Sequence, residues 1–335
     1  MTLPAAGIPA ADTSAAGAPA PPTQGGRFWR QLSGAVAATV VGQEEALRLL
    51  AVSLLAQGHC LIEDVPGVGK TLLARAFARA LDLRFARLQG TPDLLPSDIT
   101  GSSILDQGAF RFVPGPVFTN VLLADEINRA TPRAQSALLE AMQEMQVSVD
   151  GETRPLPTPF LVVATQNPIE LEGTFSLPEA QRDRFLLRVV LGYPDEQDER
   201  RIAGLFDASA DPLLAVNRVI DAATVGQLVE ATRTVHVSAD VEAYLVSIVR
   251  ATRAHPAVAL GASPRASVAL HRASQAWALL DGRSFVLPDD VRHLALAVLG
   301  HRLTLDVDHE LRGASVDDVI SAVLEEVPAP PISAG

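Results

Sequence analysis

The chain has 335 residues, enough for two domains that each bury a core, and carries a net charge of −12. Hydrophobic residues make up 48% and aromatics only 4%, so the interior is built mostly of Ala, Val and Leu. The acidic balance argues against a duplex-binding protein, and the single cysteine, Cys60, permits no intramolecular disulfide; in the run HCLIE it reads as a small core residue in a reducing compartment.

Residues 1–26 contain 17 Ala, Gly or Pro and one charge, Asp12, too little apolar surface to offset the entropy of ordering, and read as a disordered tail. They lack the basic and continuous apolar regions of a secretory signal. No later stretch has the roughly 18 uninterrupted apolar residues of a membrane helix; the longest candidate, 46–62, contains Arg48, Gln57 and His59. A cytoplasmic protein is expected, with structure starting near Phe28-Trp29. Between 59 and 191, short apolar runs alternate with amphipathic segments. The runs 59–64, 84–89, 120–126, 160–167 and 185–191 predict buried strands. KTLLARAFARAL (70–81) and TPRAQSALLEAMQEM (131–145) predict helices, the second with Thr131 as N-cap and Pro132 at the first helical position. This alternation implies an α/β core over 27–192, a parallel sheet flanked by helices. Two stretches interrupt it and read as hairpins: 101–116, turning near Gln107-Gly108, and 146–156, turning at Asp150-Gly151. Pro194 then breaks the chain. Helical patterns at 195–206, 224–233, 239–254, 264–281 and 288–300 predict an all-helical domain over 193–326, followed by a loose end at 327–335.

The chemistry gathers where the strands end. DVPGVGKT (64–71) lies between a strand and a helix, the setting of a phosphate-binding loop, although Asp64 stands where the pattern G-x-x-x-x-G-K-[ST] begins with glycine. In the tight turn Pro66, Gly67, Val68 and Gly69, the glycines let backbone amides approach a polyphosphate, and the helix N-terminus adds its dipole. Lys70 is the only lysine among 27 basic residues. A compact ammonium on a flexible stem fits such a loop where the planar arginine fork would not. Thr71 supplies a hydroxyl for Mg²⁺. The strand VLLADE (121–126) ends in two acids: Asp125 would hold the Mg²⁺ hydration shell and Glu126 would orient the attacking water. LVVATQN delivers Asn167 to the same sheet edge, where its amide could sense the γ-phosphate or position the water. ATP and Mg²⁺ are the expected ligands, and Glu126 points to hydrolysis.

Six separated blocks, VVGQEEALRLL, DVPGVGKT, TPDLLPSDITG, LLADEINRATPRAQSALLEAMQE, ATQNPIELEGTFSLPEAQRDRFLL and SPRASVAL, occur in order between about residues 39 and 300 and together resemble the MoxR group of AAA+ ATPases. The resemblance implies an AAA+ phosphate-loop core with a C-terminal helical lid, assembled as a hexameric ring. It implies further that Val41 and Gly42 line the adenine pocket, that Asn167 is sensor 1, that Arg184 is an arginine finger acting on the neighbouring subunit, with Arg182 the other candidate, and that Arg265 is a sensor 2 reaching the γ-phosphate from the lid. The two hairpins would be the helix-2 and pre-sensor inserts. Asn128-Arg129 read as shaping a turn, with no catalytic role.

The family's work is ATP-driven remodelling or maturation of partner proteins, commonly paired with a von Willebrand A domain protein. Phe110 and Phe112 are candidate client contacts. The ATPase subunit of a metal chelatase is the alternative, needing a tetrapyrrole pathway. A nucleic-acid motor ranks last, because each hairpin carries one arginine, Arg111 and Arg154, and phosphate binding needs several.

Overall fold

The computed structural model describes residues 24–65, 67–167, 174–207 and 211–331. Two helices lead into the sheet, α1 (Gln24–Val36) and α2 (Glu44–Leu55). There follow β1 (Cys60–Glu63), α3 (Lys70–Ala80), β2 (Phe85–Gln89), α4 (Pro96–Thr100), the hairpin β3 (Gly101–Asp106) and β4 (Ala109–Pro114), and β5 (Val121–Asp125). Then come α5 (Pro132–Glu144), the hairpin β6 (Gln146–Val149) and β7 (Glu152–Pro155), β8 (Leu161–Gln166), α6 (Glu179–Arg182) and β9 (Leu187–Val189). The strands β2-β5-β8-β1-β9 form one sheet in that order, every neighbouring pair parallel. A parallel sheet must be covered on both faces. Alternate residues of each strand accordingly enter different cores: Cys60, Ile62, Leu123 and Val163 face α1–α3, whereas Leu61, Leu122 and Val162 face α5.

The helical part comprises α7 (Glu196–Asp207), α8 (Ala222–Arg233), α9 (Ala239–Ala254), α10 (Pro264–Leu280), α11 (Pro288–Leu299), α12 (Val307–Leu311) and α13 (Val316–Glu326), with a small antiparallel pair, β10 (Val258–Leu260) and β11 (Thr304–Leu305). Asp221, Ser238, Ser263 and Ser315 cap four of these helices with side-chain oxygens, each contributing about 1 kcal/mol.

The two parts are not packed separately. Phe28, Leu32 and Val36 of α1, four residues apart on one face, join a single apolar cluster with Leu50 and Leu54 of α2 and Leu270 and Leu294 of the helical part. Arg48 of α2 lies over the rings of Trp29 (5.5 Å) and Trp277 (3.6 Å) at this seam and pairs with Asp281. The loose tail expected over 1–26 is contradicted at its last three residues, which belong to α1. Residues 1–23 lie outside the described residues, but Gln24–Gly26 are helical, and Gly25 sits so close to Leu279 that a Cβ would fall 2.2 Å from its carbonyl oxygen. A residue that reads as loose in the sequence is here the contact point of two helices.

Both hairpins form with the turns expected: Gln107-Gly108 and Asp150-Gly151 have positive φ throughout, the twist that matches a two-residue connection. They touch each other. The Arg154 guanidinium lies 4.1 Å over the Phe112 ring, which also meets Phe118 edge-on at 5.6 Å. Phe112 is thus held between the hairpins. Phe110 is 80% exposed, and its cross-strand neighbour Leu105 is 66% exposed.

Candidate functional site

The C-terminal ends of β1, β5 and β8 lie side by side in the sheet and bring the phosphate loop, the paired acids and Asn167 to one edge. Gly67 and Gly69 both adopt positive φ (87° and 86°), and Gly69 is the residue from which α3 starts. The amides of the first turn of α3 are left for an anion. Pro66 lies outside the described residues. Lys70 Nζ donates to the carbonyl oxygen of Asp64 at 2.6 Å. Burial lowers the lysine's pKa, and the carboxylates of Asp64, Asp125 and Glu126 oppose that shift. Three acids thus act on one ammonium, and a polyphosphate would enter as its stronger partner. Gln43 steadies the loop from the other side, its Nε2 donating to Val68 O at 2.6 Å.

Asp125 ends β5, half-buried. Its Oδ1 accepts from the Thr165 hydroxyl at 2.6 Å, and its Oδ2 accepts from Arg87 Nη2 at 2.6 Å. Glu126 follows in the left-handed region (φ 52°), which swings its side chain away from the strand. Its backbone N–H donates to the same Thr165 oxygen at 2.8 Å, and its Oε2 accepts from Gln89 Nε2 (2.9 Å) and Arg129 Nη1 (3.1 Å). Arg129, expected only to shape the turn, therefore holds a candidate catalytic carboxylate. Asn167 is buried, and its carbonyl accepts from Asn128 Nδ2 at 3.4 Å.

Arg87, Gln89 and Thr165 were not singled out by the sequence. Their signal is positional: Gln89 is paired with Asp125 across β2 and β5, and Thr165 stands on the neighbouring strand. They become visible only once the strand order is known.

Beside the loop lies a cleft of about 380 Å³ whose walls include Val40, Val41, Leu72, Tyr193, Pro194 and Ile202. Apolar walls next to a phosphate loop suit a purine ring. Val41 is on this wall. Gly42 lines the adjacent hollow instead, with Asp198 and Arg201.

Arg184 and Arg265 occur together elsewhere. They line one concavity with Gly58, Gln143, Arg272 and Arg302, and neither lines the cleft at the phosphate loop. A chain of bonds links them: Asp183 Oδ2 accepts from the Ser263 hydroxyl at 2.8 Å, and Ser263 Oγ accepts from the Arg265 backbone N–H at 3.1 Å. Buried Arg302 donates through Nε to Asp183 Oδ1 at 2.8 Å. His301, bonded to the Phe185 carbonyl, is held well below its ordinary pKa by burial and by the charges of Arg302, Arg188 and Arg182.

Among the described residues no group of three or more His, Cys, Asp or Glu could hold a metal ion unaided, and no helix is long and apolar enough to cross a membrane. Thr71 and Asp125, one hydroxyl and one carboxylate, are too few donors to hold an ion alone and would suit Mg²⁺ carried in by a nucleotide.

Residues 59–187 match the ATPase family associated with various cellular activities (AAA), and 250–323 match the AAA lid domain. Chaperone MoxR1 of Mycobacterium tuberculosis is 45% identical over 309 residues, 88% of this chain and 80% of the relative. The uncharacterized protein YeaC of Bacillus subtilis is 45% identical over 293 residues, 87% of this chain and 91% of the relative. A crystal structure from Cytophaga hutchinsonii superposes with a TM-score of 0.86 at 38% identity, covering 92% of this chain and 96% of that one. With an ATPase domain and its lid on a shared frame, and near-half identity to a MoxR chaperone across most of both sequences, the chain belongs to the MoxR family of AAA+ ATPases and hydrolyses ATP.

Proposed function

We propose that this ATPase works as a cytoplasmic hexameric ring, that Mg²⁺ accompanies the nucleotide, and that the energy released remodels or matures a partner protein, one carrying a von Willebrand A domain. The observation that carries the ring is the joint placement of Arg184 and Arg265 in a concavity separate from their own phosphate loop. Two guanidinium groups beside Gly58 and His59, at the end of β1 away from the phosphate loop, are suited to the nucleotide of a neighbour, and an arginine supplied in trans is worth about 10³–10⁵ in rate. Arg184, whose neighbour Asp183 is bonded through Ser263 to Arg265, takes the finger role, with Arg182 the other candidate.

Within one subunit, loop amides and Lys70 hold the β- and γ-phosphates, while Val41, Tyr193 and Pro194 enclose the base. Thr71 and Asp125 would hold Mg²⁺, Asp125 through water, and the ion would supply positive charge beside the phosphate oxygens. Glu126 orients and polarises the attacking water once Gln89 and Arg129 release its Oε2, and Asn167 monitors the γ-phosphate. The client is a protein. The exposed pair Leu105 and Phe110 at the first hairpin's tip offers it an apolar contact, and the net charge of −12 disfavours nucleic acid.

ATPase rate against protein concentration, for wild type and Arg184→Ala, tests the reading. A specific activity that rises with concentration in wild type and stays low in the variant is expected. Equal, concentration-independent activity in both would remove the shared site.

A further inference from the structure

Asp64 is the one departure of the phosphate loop from the generic glycine, and its carboxylate is fully employed. It is buried, 7% exposed. Oδ1 accepts from the Val65 N–H at 2.7 Å, and Oδ2 accepts from two consecutive backbone N–H groups of a distant segment, Leu191 at 2.6 Å and Gly192 at 2.8 Å. That segment leaves β9 and leads to α7. Gly192 has φ +69°, a left-handed conformation costly for any residue with a Cβ. The next two residues, Tyr193 and Pro194, form part of the wall of the base cleft. Tyr193 is 79% exposed, so packing contributes little to its position.

We infer that Asp64 is a positioning residue for the base of the nucleotide: through Leu191 and Gly192 it sets where Tyr193 and Pro194 stand opposite Val41. The same residue's carbonyl receives Lys70, so one residue addresses both ends of the ligand, phosphates through its backbone and base through its side chain. Glycine at this position would leave the Leu191 and Gly192 amides without their acceptor in a buried setting, and charge-assisted bonds of this kind are stronger than neutral ones. The departure from the generic pattern is thus an added function of the loop.

This inference rests on the nucleotide reading of the cleft, and the two can fail separately. Calorimetric titrations of the full chain with ADP and with inorganic tripolyphosphate, which has no base, separate them. Wild type should bind both ligands, and Lys70→Ala should bind neither. Asp64→Asn, which replaces an acceptor by an N–H₂ facing N–H donors, should weaken ADP about tenfold relative to tripolyphosphate, since the loss of its charge beside Lys70 acts on both ligands alike. Gly192→Ala perturbs the same turn from the linker side, and its Cβ meets no neighbour, so it should fold and show the same signature. Equal weakening of both ligands in these variants would make Asp64 a scaffold of the loop alone and overturn the inference, as would unchanged binding of both. A wild type that binds neither ligand would instead remove the nucleotide reading itself.

Discussion

Arg302, in the helical part, donates through Nε to Asp183 Oδ1 at 2.8 Å and caps the carbonyls of Asp183, Phe185 and Leu186 with its remaining N–H groups. A side chain from the lid thereby fixes the backbone on both sides of Arg184. Burial lowers the Arg302 pKa and the Asp183 carboxylate restores part of it, as in a pair where desolvation and attraction nearly balance. Removing only the cation takes this donor from Asp183 Oδ1 and from the carbonyls of Asp183 and Leu186, while the Phe185 carbonyl keeps its bond to the His301 ring. Arg302→Leu is expected to destabilise the protein by about 3–5 kcal/mol in denaturant unfolding. At temperatures where it stays folded, it should bind ATP yet lose turnover, since Arg184 is then misplaced.

Lys70→Ala removes the only ammonium at the loop. ATP binding should fall below detection in a titration that wild type saturates, while the melting temperature without nucleotide stays near wild type, because Lys70 is half-buried and bonded only to a loop carbonyl. Glu126→Gln should do the opposite to function, keeping ATP affinity and cutting kcat by about 10²–10⁴ if the carboxylate polarises water. Turnover retained in that variant would take Glu126 out of the reaction.

Thr165 deserves a separate variant because a single hydroxyl serves both acids, donating to Asp125 Oδ1 and accepting from the Glu126 N–H. Thr165→Val keeps the volume and removes both bonds. The expected signature is a kcat lowered roughly tenfold with ATP affinity little changed, since bonds of this class are worth about 1–2 kcal/mol each. A loss confined to KM would place Thr165 outside the positioning of Glu126.

His59 predicts an acid sensitivity. Its Nε2–H donates to Met142 O at 3.0 Å and its Nδ1 accepts from Val162 N at 3.1 Å, and the accepting Nδ1 needs the neutral form. Burial lowers its pKa to about 4, against a backbone bond that raises it. The unfolded chain takes up this proton near pH 6.5 and the folded one only near 4, so the contribution is fully present above pH 6.5. It is lost as pH falls through that window, by about 3 kcal/mol in all. His301 shifts in the same direction. Melting temperature should therefore drop between pH 6.5 and 4, and a His59→Gln variant should show a shallower slope.

The strands were legible because a parallel sheet demands apolar runs, and the runs end in residues that have no business in an apolar core unless a ligand meets them. The hairpin turns announced themselves through Gln-Gly and Asp-Gly pairs. Helix α2 did not, since nine of its twelve residues are buried and a helix apolar nearly all round shows only a weak amphipathic period. The start of helix α1 was hidden by Gly25 and Gly26, which pack against Leu279 and Gly282, some 250 residues away. Distance in sequence also concealed the Asp64 bonds to Leu191 and Gly192, the Arg302 brace, and the roles of Gln89 and Thr165. Motifs reveal residues that touch ligands. They say little about the residues that hold those residues still.

Trp29 on α1 and Trp277 on α10 are the chain's only tryptophans, and both flank Arg48 on α2. One indole belongs to the helix that leads into the core and the other to the lid, with one cation near both that quenches or shifts emission according to its distance. The protein therefore carries an unlabelled optical gauge at the seam between its two parts. Its ultraviolet fluorescence should report, turn by turn of the ATP cycle, whether the lid travels with the core or swings free of it.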